Sequence, residues 1–218
     1  MLSLSKMAPQ LRLSIRGELI VAEQAVLRLS EESEGGEGYT PGIIVGEVGS
    51  AVLKVTTGGR VEIEPDDGAM IVAGSPQAQG SLIIEGTGSV VDAGIGLFIG
   101  AALPADFQVS ENATLGPGGH GEVRVGTGAT LRAGEAQGDG IDDIVIGENG
   151  SLRIEDGGVV EGDVNNTAGG TYITGNSPGW ARIVGDFNWS GELEMEFSGS
   201  GRGEYDRLDI SGEAILAG

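Results

Sequence analysis

A short pattern of apolar and polar positions recurs along the chain: an aliphatic triplet closed by glycine, then alternating aliphatics, then glycine and a further aliphatic pair. It reads Ile43-Ile44-Val45-Gly46 with Leu53, Val55, Gly58-Gly59 and Val61, and then Ile71-Val72-Ala73-Gly74 with Leu82, Ile84, Gly86, Gly88 and Val90-Val91. It returns as Leu97-Phe98-Ile99-Gly100 with Val123, Val125, Gly126, Gly128 and Leu131, and as Ile144-Val145-Ile146-Gly147 with Leu152, Ile154, Gly157-Gly158 and Val159-Val160. The aliphatics opening the second segment, Leu53, Leu82, Val123 and Leu152, are spaced 29, 41 and 29 residues apart, which reads as a repeat carrying an insertion in its third unit.

Each unit offers two or three short strands with period-2 alternation, separated by glycine, and no unit can bury its own apolar face. Stacking supplies the missing partner. Strands of successive units pair at about 4.8 Å, inward Val, Ile and Leu side chains form columns, and glycines take the tight corners. The expected fold is therefore all-β, a β-solenoid built as a single elongated array.

Residues on either side of the repeat extend the same pattern. Leu11, Leu13 and Ile15, then Leu19, Val21, Ala25, Leu27 and Leu29, predict opening strands, and the acidic run Glu31 to Gly38 predicts a solvated loop. Pro104, Pro117 and the surrounding glycines predict a loop protruding over Ala101 to Gly119. Six of the nine aromatics lie between Tyr172 and Tyr205, so the core widens or is sealed there. In Ile183 to Trp189, Ile183, Gly185, Phe187 and Trp189 share one face; in Glu192 to Phe197, Leu193, Met195 and Phe197 are expected inside, with Glu192, Glu194 and Glu196 outside. Leu208, Ile210, Ala214 and Leu216 continue the alternation. The array divides into residues 1–42 (opening strands and acidic loop), 43–170 (repeat body) and 171–218 (aromatic-rich coils).

Composition supports a narrow core, with 42 glycines in 218 residues and 4% aromatics. The charge narrows the partners. With 33 acidic against 12 basic residues, net −21, the field repels phosphate backbones and anionic lipid, so nucleic acid is not an expected partner. No apolar stretch approaches the roughly 18 residues of a membrane span, and Met1 to Gln10 has no apolar core of a signal peptide. The lack of cysteine removes disulfides and thiol chemistry.

Candidate chemistry is sparse. The single histidine, His120, reads as a loop residue with no second histidine or cysteine to join it. Gly138-Asp-Gly-Ile-Asp-Asp143 has alternating oxygen donors, making Asp139, Asp142 and Asp143 a calcium candidate, although it lacks the terminal glutamate of an EF-hand loop. Trp180 stands off the inward phase of Ile183 and Phe187, as a corner residue or as a platform for a glycan. A polysaccharide lyase would need clustered acids on calcium with Arg124 or Arg132 as base.

The stretch Thr174-Gly-Asn-Ser-Pro-Gly-Trp-Ala-Arg-Ile-Val-Gly-Asp-Phe, then Gly191-Glu-Leu-Glu-Met-Glu-Phe, then Tyr205-Asp-Arg-Leu-Asp-Ile-Ser-Gly-Glu-Ala-Ile-Leu, resembles a segment near the end of bacterial autotransporter passengers and of surface proteins with a PEP-CTERM sorting tail. The glycine-punctuated repeats upstream are similar to those of the same two groups. The resemblance covers residues 43–216 and is strongest over 174–216. It implies a right-handed parallel β-helix and a secreted or cell-surface location; it does not imply an enzyme, and none is expected. The motif normally runs on to a membrane barrel or a sorting tail, so the chain is expected to be a piece of a longer protein. The expected role is structural or adhesive, as a stiff display or self-assembling rod whose C-terminal strands associate with further copies. A glycan- or calcium-binding surface module is the alternative, with host or matrix glycan or protein as partner, and a lyase stands third.

Overall fold

The computed structural model describes residues 2–4, 13–29, 41–64, 68–102, 116–134, 143–166, 169–175, 178–201 and 203–217. They form strands, turns and bends, with no helix among them. All but two short strands lie in three parallel sheets, and the chain visits these sheets in rotation. The first sheet has eight strands: Leu2–Leu4, Val26–Leu29, Arg60–Ile63, Val90–Ala93, Thr130–Arg132, Val159–Glu161, Trp180–Val184 and Arg207–Ile210. The second has eight: Leu13–Ile15, Pro41–Val45, Ala69–Val72, Leu97–Ile99, Ile144–Ile146, Val164–Asn166, Phe187–Trp189 and Ala214–Leu216. The third has seven: Gly17–Val21, Ser50–Thr56, Gln79–Glu85, His120–Val125, Gly150–Ile154, Thr171–Thr174 and Glu192–Glu194. Within each sheet a strand pairs with the strand one circuit earlier and one circuit later.

This topology follows from the alternation. Parallel pairing with a fixed phase sets like residues opposite each other, so Leu19, Leu53, Leu82, Val123, Leu152, Tyr172 and Leu193 make one column. Leu27, Val61, Val91, Leu131, Val160, Ile183 and Ile210 make another. These columns meet in one continuous apolar core running from Ile15 to Trp189, in which Leu53, Leu82, Val123 and Leu152 are wholly buried. The expected loop over 101–119 begins as a two-stranded antiparallel pair, Ala101–Ala102 with Gly116–Pro117, and residues 103–115 lie outside the described residues, as do Leu11 and the acidic run 31–38.

Several expectations are corrected. The second repeat unit is one residue out of phase: Ile43, Ile44 and Val45 pair with Met70, Ile71 and Val72, which puts Ala73 opposite the Gly46 corner. Amides of Gly46, Ala73, Gly100 and Gly147 each donate to the carbonyl of the preceding circuit (Ile15, Val45, Val72 and Ile99), so these four are one corner column. Ala73 holds φ +62° there, beside +77° at Gly46 and +63° at Gly100, a backbone shape that hides the repeat from a search for glycine. The stretch Ile183 to Trp189 is not one strand. It breaks at Gly185-Asp186 and passes from the first sheet to the second, although Ile183, Phe187 and Trp189 do all face the core. Glu192–Glu194 ends before Met195, and Phe197 is 75% exposed rather than inward, held by an antiparallel bridge to Tyr205. Leu193 is 36% exposed, because its strand is the last of its sheet. Leu2–Leu4, which carries no repeat signal, is a strand of the first sheet.

Aromatics fill the core near the last circuits. Tyr172, Phe187 and Trp189 are buried against one another, with Phe187 and Trp189 stacked at 5.1 Å and Tyr172 edge-on to both at 5.6 and 5.7 Å. Such contacts add about 0.5–1.5 kcal/mol per pair beyond area burial. Burial is also the main reason the Tyr172 hydroxyl is pushed well above its ordinary value.

Candidate functional site

The outward faces carry what chemistry the chain has. Trp180 opens the strand Trp180–Val184 at 42% exposure, so the prediction that it stands off the inward phase holds. Its backbone N–H donates to Asp156 Oδ1 at 3.1 Å, tying the strand start to the turn of the previous circuit. Parallel register places Arg207 opposite Trp180 and Asp209 opposite Arg182, and alternation puts all four on the outer face of the first sheet. Arg207 grips Asp209 with a two-pronged contact, Nε to Oδ1 at 2.8 Å and a second nitrogen to Oδ2 at 3.0 Å. The Asp209 carboxyl lies below its ordinary range, chiefly through that hydrogen bond, with the Trp180 side chain and the charges of Arg207 and Arg182 adding to it. Among the described residues Arg182 makes no ion pair. Reading the chain alone singles out Trp180 but misses Arg182, Arg207 and Asp209. Alternation against Ile183 and Ile210 marks them as outward; only the pairing register brings them together.

A second constellation sits at the corner between the first and second sheets. Asp163 N–H donates to Asp143 Oδ2 at 2.8 Å, Asp186 N–H to Asp163 Oδ1 at 2.7 Å, and Glu213 N–H to Asp186 Oδ1 at 2.7 Å. The backbone follows the same ladder, with Ile144, Val164 and Phe187 donating to the carbonyls of Asp163, Asp186 and Glu213. Each carboxylate thus caps the amide one circuit on, the role an acid plays at a helix start carried over to a stack. Of the calcium candidates, Asp143 belongs to this ladder and is 6% exposed, whereas Asp139 and Asp142 lie outside the described residues. The glycine-acid steps Gly162-Asp163, Gly185-Asp186 and Gly212-Glu213 are the sequence signal that marks the corner. Among the described residues no group of three or more His, Asp or Glu side chains is arranged to hold a metal ion.

The arginines considered as lyase bases are both ion-paired. Arg124 Nε reaches Glu155 Oε1 at 2.6 Å, and the hydrogen bond and charge of Glu155 raise the guanidinium above its already high value, the reverse of what a base needs. Arg132 Nε pairs with Glu161 Oε2 at 2.5 Å. Arg28 with Glu62 and Lys54 with Glu85 extend the pattern, each joining strands of successive circuits. His120 is exposed at the start of its strand, level with Gln79 and, one strand further, Ser50, whose hydroxyl donates to Gln79 Oε1 at 3.0 Å rather than to the imidazole.

Comparison with known proteins returns no match: no family model, no curated protein and no solved structure.

Proposed function

We propose that the chain is a right-handed parallel β-helix that serves as a bacterial extracellular structural or adhesive element, of the kind seen in autotransporter passengers and PEP-CTERM surface proteins, and that it performs no catalysis. The observation that carries this reading is the rotation of the chain through three parallel sheets, with the register of the third continuous from Leu19 opposite Leu53 to Tyr172 opposite Leu193. Crossovers between parallel strands of one sheet are right-handed in about 98% of cases, which supports the hand. The pairing of Arg124 and Arg132, and the use of Asp143 as a backbone cap, support a structural role for the residues that chemistry would otherwise claim.

The mechanism is mechanical: ladder hydrogen bonds and an apolar column resist bending, and corners and loops present a contact surface. Among the described residues the last strands of the second and third sheets leave Ile215, Leu216 and Leu193 at 50%, 64% and 36% exposure. These edges accept strands of a further copy. Long-range repulsion from the −21 charge opposes the contact, and salt screens it beyond about 10 Å at 0.1 M, so association strengthens as salt rises. Light scattering across a salt series tests this, with Ile215→Lys/Leu216→Lys as the variant that stays monomeric; a parent chain that is monomeric at every salt concentration contradicts self-assembly. Location is tested separately by antibody labelling of intact producing cells. Labelling before permeabilisation is expected, and labelling only afterwards overturns the extracellular reading.

A further inference from the structure

We propose that the outer face of the first sheet at Trp180 is a binding site for a neutral, β-linked hexopyranose chain, with the indole as platform and Arg182 and Asp209 as the hydrogen-bonding rim. The inference concerns binding alone and does not rest on where the protein resides or whether it self-associates.

The indole is exposed yet held. Its residue is tied at the backbone to Asp156, and its cross-strand neighbour Arg207 is locked in a two-pronged grip on Asp209, so the ring rises from an ordered strand pair. A large apolar face left 42% exposed gains nothing for the core, which closes beneath it through Ala181 and Ile183. What a fixed aromatic face offers is a surface already ordered before a ligand arrives, so little rotamer entropy is lost on binding. Sugars with equatorial hydroxyls present a flat C–H face to such a ring and a rim of hydroxyls around it. The rim here matches: Arg182 supplies a fork of N–H donors with no ion pair among the described residues, and Asp209 supplies carboxylate oxygens. Arg182 lies two residues along the strand from Trp180, about 6.6 Å, and Asp209 lies one strand across from Arg182, about 4.8 Å, which sets it on the diagonal from Trp180 at roughly 8 Å, within reach of a glycan chain that stacks one ring on the indole.

Charge selects among glycans. The four groups Arg182, Arg207, Asp209 and Asp156 cancel locally, whereas the whole chain carries −21, so the surrounding field disfavours a polyanionic ligand. A neutral hexose polymer meets no such barrier.

The test uses the intact chain and cellohexaose, with hexagalacturonate as the charged comparison. Trp189 is 2% exposed, so quenching by acrylamide reports on Trp180. Cellohexaose at millimolar concentration is expected to reduce the quenching constant at least twofold, roughly the effect of covering an exposed ring. By calorimetry Trp180→Ala abolishes binding, Trp180→Phe retains part of it, and Arg182→Gln weakens it about fivefold to tenfold with an unchanged melting temperature. Hexagalacturonate binds at least about tenfold more weakly at low salt, and added salt narrows the gap. Unprotected Trp180 at saturating cellohexaose overturns the site, as does equal binding by the parent, Trp180→Ala and Arg182→Gln; tighter binding of hexagalacturonate overturns the assignment to neutral glycan. None of these outcomes alters the scattering or labelling results that decide the structural role.

Discussion

A glycine in this chain matters by what surrounds it, and two corners show the range. Gly100 has φ +63°, and a Cβ there falls 2.5 Å from the Gly150 amide nitrogen and 2.7 Å from the Asn149 carbonyl carbon, both backbone. Gly49 has φ +76° but open space around the same position. Gly100→Ala should therefore cost more than about 3 kcal/mol, conformational strain plus overpacking, and Gly49→Ala only about 1 kcal/mol, as read by urea unfolding. Ala73 explains why glycine is not obligatory at that corner. Its left-handed shape costs about 1–2 kcal/mol, but the fully buried methyl returns about 0.8 kcal/mol and a smaller loss of chain entropy returns about 0.5–1 kcal/mol, so the balance is close to zero. A sequence search that demands glycine there slips by one residue, because it reads Gly74 as the corner instead.

Charge at single residues sets a pH dependence. The Asp92 carboxyl is raised above its ordinary value by burial, only partly offset by the Gly94 amide and by Arg132. A raised carboxyl binds its proton more tightly in the folded chain than in the unfolded one. Its effect on stability is therefore most favourable at low pH and is lost as pH rises from the ordinary carboxylate range through the raised value. Asp92→Asn removes that loss while keeping an oxygen for the Gly94 amide, 3.3 Å away. The variant should melt higher than the parent at pH 7 and level with it near pH 3, where both carry a neutral side chain (about 1 unit below the ordinary Asp value). A variant that melts lower at pH 7 would show that the Arg132 attraction outweighs burial.

At the scale of strands, inside and outside were legible wherever alternation was regular and the spacing constant. Leu53, Leu82, Val123 and Leu152 meet in one column because each opens the same segment of its unit. Leu152→Asp places a carboxylate at a fully buried position without a partner, which costs several kcal/mol and should unfold the chain or melt its circuit. Arg153 points outward, its guanidinium donating to the Gly175 carbonyl at 3.1 and 3.4 Å, and Arg153→Asp should cost only about 1 kcal/mol. Equal losses in denaturant titrations would mean the phase is wrong. Legibility failed where alternation continues across a corner. Ile183, Phe187 and Trp189 keep one phase through Gly185-Asp186, so nothing in period 2 shows that the chain has changed sheet there. It also failed at Phe197, whose alternation with Leu193 persists past the end of the strand Glu192–Glu194, so that the ring is 75% exposed beside Tyr205. The Trp180 surface was half legible for a related reason: its aromatic was visible, but Arg207 and Asp209 come from a strand whose register no local pattern states.

For the whole molecule, the decisive property is that distance along the stack counts circuits and not residues. Eight strands in a sheet span seven intervals of about 4.8 Å, roughly 34 Å, so residues far apart in sequence lie close together. Ion pairs between successive circuits, such as the half-buried Arg28 with Glu62 and the exposed Arg132 with Glu161, keep contact with solvent and contribute little each; they choose register more than they add stability. The core column carries the fold.

That relation can be measured directly. The chain has no cysteine, so spin labels can be placed without background at Arg60 and Arg182, and in a second sample at Arg60 and Asp209. Both pairs lie in one row of the first sheet, running Arg60, Val90, Thr130, Val159, Arg182 and Asp209. Pulsed electron spin resonance should give backbone separations of about 19 Å for the first pair and about 24 Å for the second, four and five strand spacings, each as a single narrow distribution once label length is allowed for. Separations that are broad, or that do not grow by one strand spacing from Arg182 to Asp209, would contradict the stacked circuits on which the structural and functional readings stand.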